Sequence, residues 1–202
     1  MAIRTNDELN NLSFESYFAD APLTEEQIKQ RIDLAEELEV LFLYVFTALH
    51  EVPDITQTAK ETYKTVVTKH LGLNEPTAYI NEQAEQTVDE IISVTLEHEN
   101  ESDSEYWKSA TRALIISANE SHKMFEYKSY TDAVKAGMTR KRWKCSFVPR
   151  SREDHKIAHG QTVNIFGRFA VGDSEFGYPR DMTYYPSAEQ VINCLCTCEY
   201  MK

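Results

Sequence analysis

Several residue types are scarce in this sequence, and each scarcity excludes a class of protein. Only 6 glycines and 6 prolines occur among 202 residues, so the chain is neither collagen-like nor a Gly/Pro-rich disordered protein. Its 4 cysteines are too few to hold a secreted chain of this length together by disulfides. The remaining composition, 42% hydrophobic and 27% charged, is typical of a globular protein with a buried core.

Long apolar segments are missing as well. The longest, residues 38–46, is interrupted by Glu39 and falls far short of the roughly 20 residues that cross a bilayer. The first eleven residues contain no apolar stretch after a basic region, which predicts no secretory signal. We therefore expect a soluble, non-secreted protein in a reducing compartment, without membrane contact.

Charge is divided unevenly along the chain. Residues 1–134 carry 10 basic and 26 acidic side chains, whereas residues 135–202 carry 11 and 7. A basic end can contact nucleic acid or an acidic partner, and equally it can neutralise the acidic part of its own chain. The candidate DNA contacts are Lys135, Arg140, Lys141, Arg142 and Lys144.

Helical periodicity dominates the first hundred residues. Thr24 and Gln27 have the spacing of a capping box, and apolar residues follow at intervals of three and four up to Pro53. Further helices are predicted over residues 55–71 and 76–98. Residues 41–46 are apolar on all sides, so they must be covered by the rest of the chain or by another molecule. The candidate partner-binding residues are Leu38, Leu41, Phe42, Val45 and Phe46.

The predicted secondary structure changes from helices alone to helices and strands in the second half of the chain. After an acidic linker at residues 97–105, helices are predicted over 104–127 and 131–136, and strands near 143–148, 163–171 and 191–200. This pattern predicts an α+β fold, with a helical N-terminal half followed by a small α+β C-terminal domain that has a short, mainly antiparallel sheet. The predicted domains are a helical interaction arm, 1–100, and a C-terminal domain, 101–202.

A group of histidines and cysteines invites a test for metal binding. His155 and His159 are spaced so that a helix would place both on one face, and Cys194 and Cys196 supply thiols, so a zinc site is chemically reasonable. No Cys-x-x-Cys pair accompanies them, and the composition is equally consistent with buried, hydrogen-bonded histidines and core thiols. We expect no metal and no other cofactor.

The residues around His155 are also candidates for catalysis. His155 or His159 would be a general base, Arg150 or Arg152 would stabilise a developing phosphorane charge, and Glu153 would be a second titratable group. Such residues also form ordinary ion-pair networks, and the sequence contains no Gly-rich phosphate loop and no nucleophile elbow. We expect a chain that is not an enzyme, with a nuclease or an ADP-ribosyltransferase-like effector as the alternative.

A set of motifs in the C-terminal half resembles the phage Mu F-like minor head protein family, also called the phage head morphogenesis family. In order, these are a helix ending in glycine before a tryptophan, an Arg-x-x-His, a glycine five residues later, a Pro-x-Asp and an Asn-Cys-x-Cys. They correspond to Gly137, Trp143, Arg152, His155, Gly160, Pro179, Asp181, Asn193, Cys194 and Cys196.

The resemblance covers about half of the chain, residues 104–200, and implies a structural role for the motif residues. It implies a minor head protein of the virion, present in several copies at the portal vertex or capsid interior after assembly in the host cytoplasm. The implied partners are the portal protein or the major capsid protein, with non-specific contact to packaged DNA. The implied activity is head assembly, DNA packaging or ejection.

Overall fold

The computed structural model of the chain describes residues 12–148 and 151–202. Within these residues the helices are α1 (Phe14–Phe18), α2 (Glu25–Ala48), α3 (Ile55–His70), α4 (Ala78–Glu97), α5 (Ser104–Trp107), α6 (Ala110–Lys135), α7 (Glu153–Ala158) and α8 (Ala188–Val191). The strands are β1 (Arg140–Lys144), β2 (Thr162–Asn164), β3 (Phe169–Val171), β4 (Ser174–Phe176) and β5 (Thr197–Met201). The segment on which the expectation about a secretory signal rests, residues 1–11, lies outside the described residues.

Helix α2 begins where its capping residues predict. The Gln27 amide donates to Thr24 Oγ1 over 3.3 Å, and the Thr24 amide donates to Gln27 Oε1 over 3.0 Å, so the predicted capping box fixes the start of α2. The C-terminal end of α3 is followed by Gly72 at φ +65°, a left-handed conformation that glycine adopts without steric cost. No helix among the described residues is long and apolar enough to cross a membrane.

The all-round apolar part of α2 is covered within the chain. Its side chains, predicted to bind a partner, are all buried, with at most 5% of any surface exposed: Leu38, Leu41, Phe42, Val45 and Phe46. The sequence left open whether this segment is covered by the rest of the chain or by another molecule, and in the structure the rest of the chain covers it. The apolar side chains that α2 leaves exposed are instead Val40 and Tyr44.

The helix before the sheet is longer than the sequence predicts. α6 runs without a break from Ala110 to Lys135, across the gap predicted at residues 128–130. The hydroxyl of Thr131 donates to the carbonyl oxygen of Lys128 and so is satisfied inside the helix. Lys128 also pairs with Asp132 one turn later, which favours the helical path.

Two antiparallel sheets form the β part of the fold. The three-stranded sheet has the order β2–β1–β5, and β3 pairs with β4 in a separate hairpin. In the central register, Trp143 lies opposite Cys198, and Lys144 lies opposite Thr197. The predicted α+β class, with a helical first half and a short antiparallel sheet, is confirmed; α1, β4 and α8 have no counterpart in the sequence prediction.

The chain divides into two compact units. The sheet unit comprises the described residues up to Lys29 together with His122–Lys202, and the helical unit comprises Gln30–Ser121. The boundary predicted near residue 100 therefore falls inside the helical unit. The sequence signal there was an acidic, aperiodic segment, but Glu99 within it binds Lys108, which follows it, over 2.8 Å.

The parity of β1 decides which of the candidate DNA contacts are accessible. Lys141 and Trp143 share the inner face of this strand, and both are fully buried. Lys141 Nζ lies over the rings of Tyr130 and Phe169, 4.9 and 5.5 Å from their centroids. This corrects the prediction for Lys141, which is a core residue and is not available to DNA.

The other basic candidates differ in their exposure. Lys135 and Arg140 are exposed. Arg142 and Lys144 are partly buried and lie 3.3 and 4.0 Å from the carboxylate of Glu199 on the adjacent strand. The exposed basic surface is therefore smaller than the charge count of the sequence suggests.

Replacement of Lys141 by methionine is expected to raise the free energy of unfolding by about 1–2 kcal/mol. The Nζ atom is buried and has no hydrogen-bond partner among the described residues. The ammonium group therefore loses its hydration, and no hydrogen bond compensates for the loss. Burial accordingly lowers the pKa of Lys141, although Cys198 and Asp181 oppose the shift. Urea unfolding followed by Trp143 fluorescence measures the change.

The matched control for that variant is Lys144→Met. Lys144 occupies the same strand but is partly exposed, and its change is expected to stay within about 0.5 kcal/mol of zero. A loss of stability in Lys141→Met would mean that the two ring contacts outweigh the cost of burying the charge.

Candidate metal centre

Four potential metal ligands meet in the core of the sheet unit, which we call the Cys–His cluster: Cys145, His155, Cys194 and Cys196. All four side chains are buried. They come from three separate segments, the end of β1, helix α7 and the turn that precedes β5. The cluster lies in an apolar environment that includes Trp143, Phe169 and Phe176.

Strand register brings Cys145 and Cys196 together. The antiparallel pairing of β1 with β5 reaches Lys144 opposite Thr197, so the next position on each chain places Cys145 opposite Cys196. Cys145 also follows the inward parity of Lys141 and Trp143, and only 4% of its surface is exposed. The pairing of two distant segments therefore positions these thiols.

Helix α7 supplies the imidazole. The helix starts after Arg152, and Glu153 and Asp154 in its first turn interact favourably with the helix dipole. His155 then points inward, with its ring 5.8 Å from that of Trp143 at an interplanar angle of 80°. This edge-to-face contact fixes the plane of the imidazole against the core.

The turn before β5 brings in the last two thiols. Asn193 has φ +56°, a left-handed conformation that asparagine tolerates better than most residues. Its side-chain oxygen accepts a hydrogen bond from the Tyr17 hydroxyl over 3.3 Å. Cys194 and Cys196 follow directly, before the strand begins at Thr197.

The donor atoms are within the range of a common ligand. His155 Nδ1 lies 3.3 Å from Cys196 Sγ and 3.5 Å from Cys194 Sγ. These three atoms all lie within 4.8 Å of one another. The strand register places Cys145 next to Cys196, and the Phe147 amide donates to Cys145 Sγ over 3.4 Å.

The opposite nitrogen of the imidazole has its own partner. His155 Nε2 lies 2.9 Å from Gln190 Oε1, while Gln190 Nε2 donates to Asp154 Oδ2 over 2.8 Å. Because the carboxylate requires the NH₂ end of the amide, the Gln190 oxygen faces the ring and accepts the Nε2 proton. A neutral His155 therefore keeps the lone pair on Nδ1, which faces the thiols.

Gly172 leaves room for that hydrogen-bond chain. Its φ is +60°, and a Cβ at this position would lie 2.6 Å from Asp154 Oδ2 and 2.7 Å from Gln190 Nε2. Glycine is thus required both by the backbone conformation and by the close approach of the Asp154–Gln190 pair.

The protonation of the thiols follows from their mutual contacts. A hydrogen bond from Cys196 lowers the pKa of Cys145 to about 6, against the opposing effect of burial. A hydrogen bond from Cys196, together with the contact to His155, lowers the pKa of Cys194. The pKa of Cys196 is raised, because its thiol donates to Cys145 and Cys194 and is itself buried.

Two guanidinium groups lie near the cluster. Arg180 is buried, and its Nη1 donates to the Cys194 carbonyl oxygen over 3.3 Å. Arg152 Nη2 donates to the Ile192 carbonyl oxygen over 2.7 Å. Arg180 lowers the pKa of Cys194. Burial and the Arg152 charge act to lower the pKa of His155, but the contacts with Cys194 and Gln190 outweigh them and raise it. The positive charge near the Cys–His cluster therefore favours the thiolate form of its cysteines.

Among the described residues, those of the catalytic alternative do not form one site; Arg150 lies outside the described residues. His155 is buried among the thiols, whereas Glu153 is exposed and lies 3.4 Å from Lys156. Arg152 is directed at a backbone carbonyl of the turn that carries Asn193. The structure thus separates the predicted second titratable group from the predicted base.

The two histidines of the metal alternative are separated as well. His159 is exposed, accepts a hydrogen bond from the Cys145 amide at Nδ1 and lies against the Phe147 ring. Its place in the cluster is taken by Cys145, which the sequence analysis missed. Its only sequence signal is its parity with Trp143 on a predicted strand, and this does not reveal its partner.

The remaining motif residues hold the surrounding chain. The Gly160 amide, at a residue with φ +79°, donates to the Trp143 carbonyl oxygen over 2.9 Å. After the buried Pro179, Asp181 accepts hydrogen bonds from the amides of Gly177 and Thr183 over 3.1 and 2.9 Å. These contacts stabilise the loop that leads towards α8.

Comparisons with known proteins identify no relative. No family model matches the chain, and neither a curated protein nor a solved structure matches it significantly.

Proposed function

We propose that this chain is a phage minor head protein that binds the portal or the inner capsid and acts in head assembly, DNA packaging or ejection. The observation that carries the proposal is that several motif residues from separate segments contact one another in the sheet unit. The Trp143 ring contacts the His155 ring, and the Trp143 carbonyl oxygen accepts a hydrogen bond from the Gly160 amide. Arg152 donates to the Ile192 carbonyl oxygen in the turn that precedes Cys194. Residues that matched these motifs by chance would not be expected to contact one another in this way.

The exposed surface of the sheet unit supports a binding role. Four large apolar side chains are more than half exposed: Phe147, Ile157, Phe166 and Tyr185. Such residues provide contact area for another protein without any change in the core. They replace the buried α2 residues as candidates for partner contact.

Contact with packaged DNA is a smaller part of this proposal. Lys135 and Arg140 are exposed and can approach phosphates, whereas Arg142 and Lys144 already lie near Glu199. Two exposed cations provide only a weak, salt-sensitive and sequence-independent contact. The principal partner in this proposal is therefore a protein of the particle.

Purification of proheads and mature particles tests the proposal. A tagged chain, expressed during infection by the phage that encodes it, is expected to co-sediment with proheads and to copurify with the portal or the major capsid protein. Deletion of its gene is expected to reduce the number of infectious particles. If the chain is absent from both proheads and mature particles, the proposal is wrong.

A pair of surface variants sharpens this experiment. Phe166→Ser combined with Tyr185→Ser is expected to lower incorporation several-fold with an unchanged circular dichroism spectrum, because both side chains are exposed. Val40→Ser, which changes an equally exposed apolar residue of the helical unit, is the matched control and is expected to be incorporated normally.

A further inference from the structure

We propose that Cys145, His155, Cys194 and Cys196 bind one zinc ion as a closed, four-coordinate structural site. This inference concerns the folding chemistry of the sheet unit and does not depend on the proposed function. The chemical class of the ligand follows from the donor set. Three thiols and one imidazole are typical of structural zinc, whereas magnesium and calcium prefer oxygen ligands.

The distances agree with a tetrahedral site. With Zn–S near 2.3 Å and Zn–N near 2.05 Å, tetrahedral angles place a nitrogen ligand about 3.6 Å from each sulfur. His155 Nδ1 lies 3.3 and 3.5 Å from the sulfurs of Cys196 and Cys194. The imidazole thus lies at nearly the ligand separation from both sulfurs, and all three donors lie within 4.8 Å of one another. Cys145, which the strand register places opposite Cys196, is the fourth ligand in this proposal.

The imidazole has the orientation of a metal ligand. A ligating histidine usually donates its second ring N–H to a fixed acceptor, which sets the tautomer and the plane of the ring. His155 does this through Nε2 and Gln190 Oε1, and Asp154 in turn fixes the Gln190 amide. The free lone pair of Nδ1 is therefore held towards the sulfurs.

Space and charge are also appropriate. A cavity of about 20 Å³, bordered by His155, Cys194 and Cys196, has room for a single particle of about the size of a water molecule. Zinc with three thiolates and a neutral imidazole has a net charge of −1, because each thiol releases its proton on binding. Arg152 and the buried Arg180 lie close enough to offset that charge.

A metal would also give the sheet unit a crosslink that its strands lack. The five strands are only three to five residues long, so the sheets contribute few hydrogen bonds. One zinc ion would join the end of β1, helix α7 and the turn before β5, which are distant in sequence. In small domains such a site contributes folding free energy directly.

Metal analysis of the full chain is the first test. Protein expressed with zinc and purified under reducing conditions without chelator is expected to contain about one zinc per chain, measured by mass spectrometry of the native protein. Cys194→Ser is expected to reduce this to below about 0.2. Cys198→Ser is the matched control and is expected to keep the zinc, because the Cys198 thiol contacts Tyr200 and is not part of the cluster.

Cobalt substitution tests the coordination geometry first in the wild-type chain, where misfolding of a variant cannot affect the result. The wild-type chain with Co²⁺ is expected to show the intense d–d absorption of tetrahedral cobalt and thiolate charge-transfer bands. Cys145→Ser is expected to weaken the charge-transfer bands, whereas Cys198→Ser leaves them unchanged. Zinc-free wild-type protein that also binds no cobalt would overturn the proposal, and so would a disulfide within the cluster in protein purified under reducing conditions.

Gln190 provides a separate test as a positioning residue. Gln190→Ala is expected to lower the zinc affinity about 10- to 100-fold in a chelator competition, because the tautomer of His155 is no longer fixed. Gln161→Ala is the matched control. Gln161 exchanges two hydrogen bonds with the backbone of Ala170, outside the cluster, and its loss is expected to leave zinc affinity within about two-fold. Equal losses in the two variants would contradict the role of Gln190.

Discussion

Replacement of Trp143 by alanine is expected to lower the free energy of unfolding by about 3–5 kcal/mol, a typical cost for removing a large buried aromatic side chain. Trp143 is fully buried. Its ring lies 5.3 Å from that of Phe169 and 5.7 Å from that of Phe176. Alanine would leave a cavity between β1 and the β3–β4 hairpin. Urea unfolding followed by far-ultraviolet circular dichroism measures the loss.

Trp143→Phe is the matched control for this prediction. The indole Nε1 is buried and has no hydrogen-bond partner among the described residues, so phenylalanine sacrifices packing volume but no hydrogen bond. Its cost is expected to be about 1–2 kcal/mol. Both measurements are made with excess zinc so that the occupancy of the metal site does not differ. A cost below about 1 kcal/mol for Trp143→Ala would contradict the central position of this residue.

Local signals were sufficient to predict α2, α3 and α4, whereas α1 was missed. The capping box at Thr24 and Gln27 involves residues three apart, and their hydrogen bonds form within the helix they start. The break predicted before Thr131 was wrong because serine and threonine lower helix propensity only slightly. In α6 the hydroxyl of Thr131 bonds to the helix itself, so the apparent stop has no effect.

The candidate site was predictable only in part. His155, Cys194 and Cys196 could be selected by residue type, but the sequence does not show that they converge. Cys145 meets Cys196 through the antiparallel register of β1 and β5, which pairs residues more than fifty positions apart, and His155 comes from the separate helix α7. Cys145 and Gln190 were missed because neither lies in a recognisable metal-binding spacing.

Burial of Lys141 shows the same limit for charge. A count of basic residues treats Lys141 like its neighbours Arg140 and Arg142, yet alternation along β1 directs it into the core with Trp143. The predicted strand began near residue 143, whereas β1 begins at Arg140, so the prediction did not apply the strand alternation to Lys141. Strand parity, set by the burial of Trp143, decided the position.

Replacement of Glu120 by alanine is expected to lower the free energy of unfolding of the helical unit by about 3–5 kcal/mol. The Tyr63 hydroxyl and the Thr87 hydroxyl both donate to Glu120 Oε2, over 2.7 and 3.0 Å, and all three side chains are buried. Removing this shared acceptor costs about 1–3 kcal/mol for each hydroxyl, and the vacated volume adds to the loss. Burial and the Glu120 charge raise the pKa of Tyr63, so its proton remains available for donation.

Trp107 offers a fluorescence probe for this measurement. It lies in the helical unit, and Trp143 is the only other tryptophan of the chain, so a Trp143→Phe background leaves emission from the helical unit alone. Glu120→Gln is the matched control, because it retains an acceptor oxygen and removes only the charge. Its cost is expected to be about 1–2 kcal/mol.

A double-mutant cycle separates the hydrogen bond from the general cost of altering a core. Tyr63→Phe removes one donor and keeps the ring, and its combination with Glu120→Ala, which removes the acceptor, is expected to give a coupling free energy of about 1–2 kcal/mol. The sign should be that of a stabilising contact, because the phenol donates to a charged oxygen in a buried setting. Additive losses in the double variant would mean that the 2.7 Å contact carries no net stability, and Glu120 would then act through packing alone.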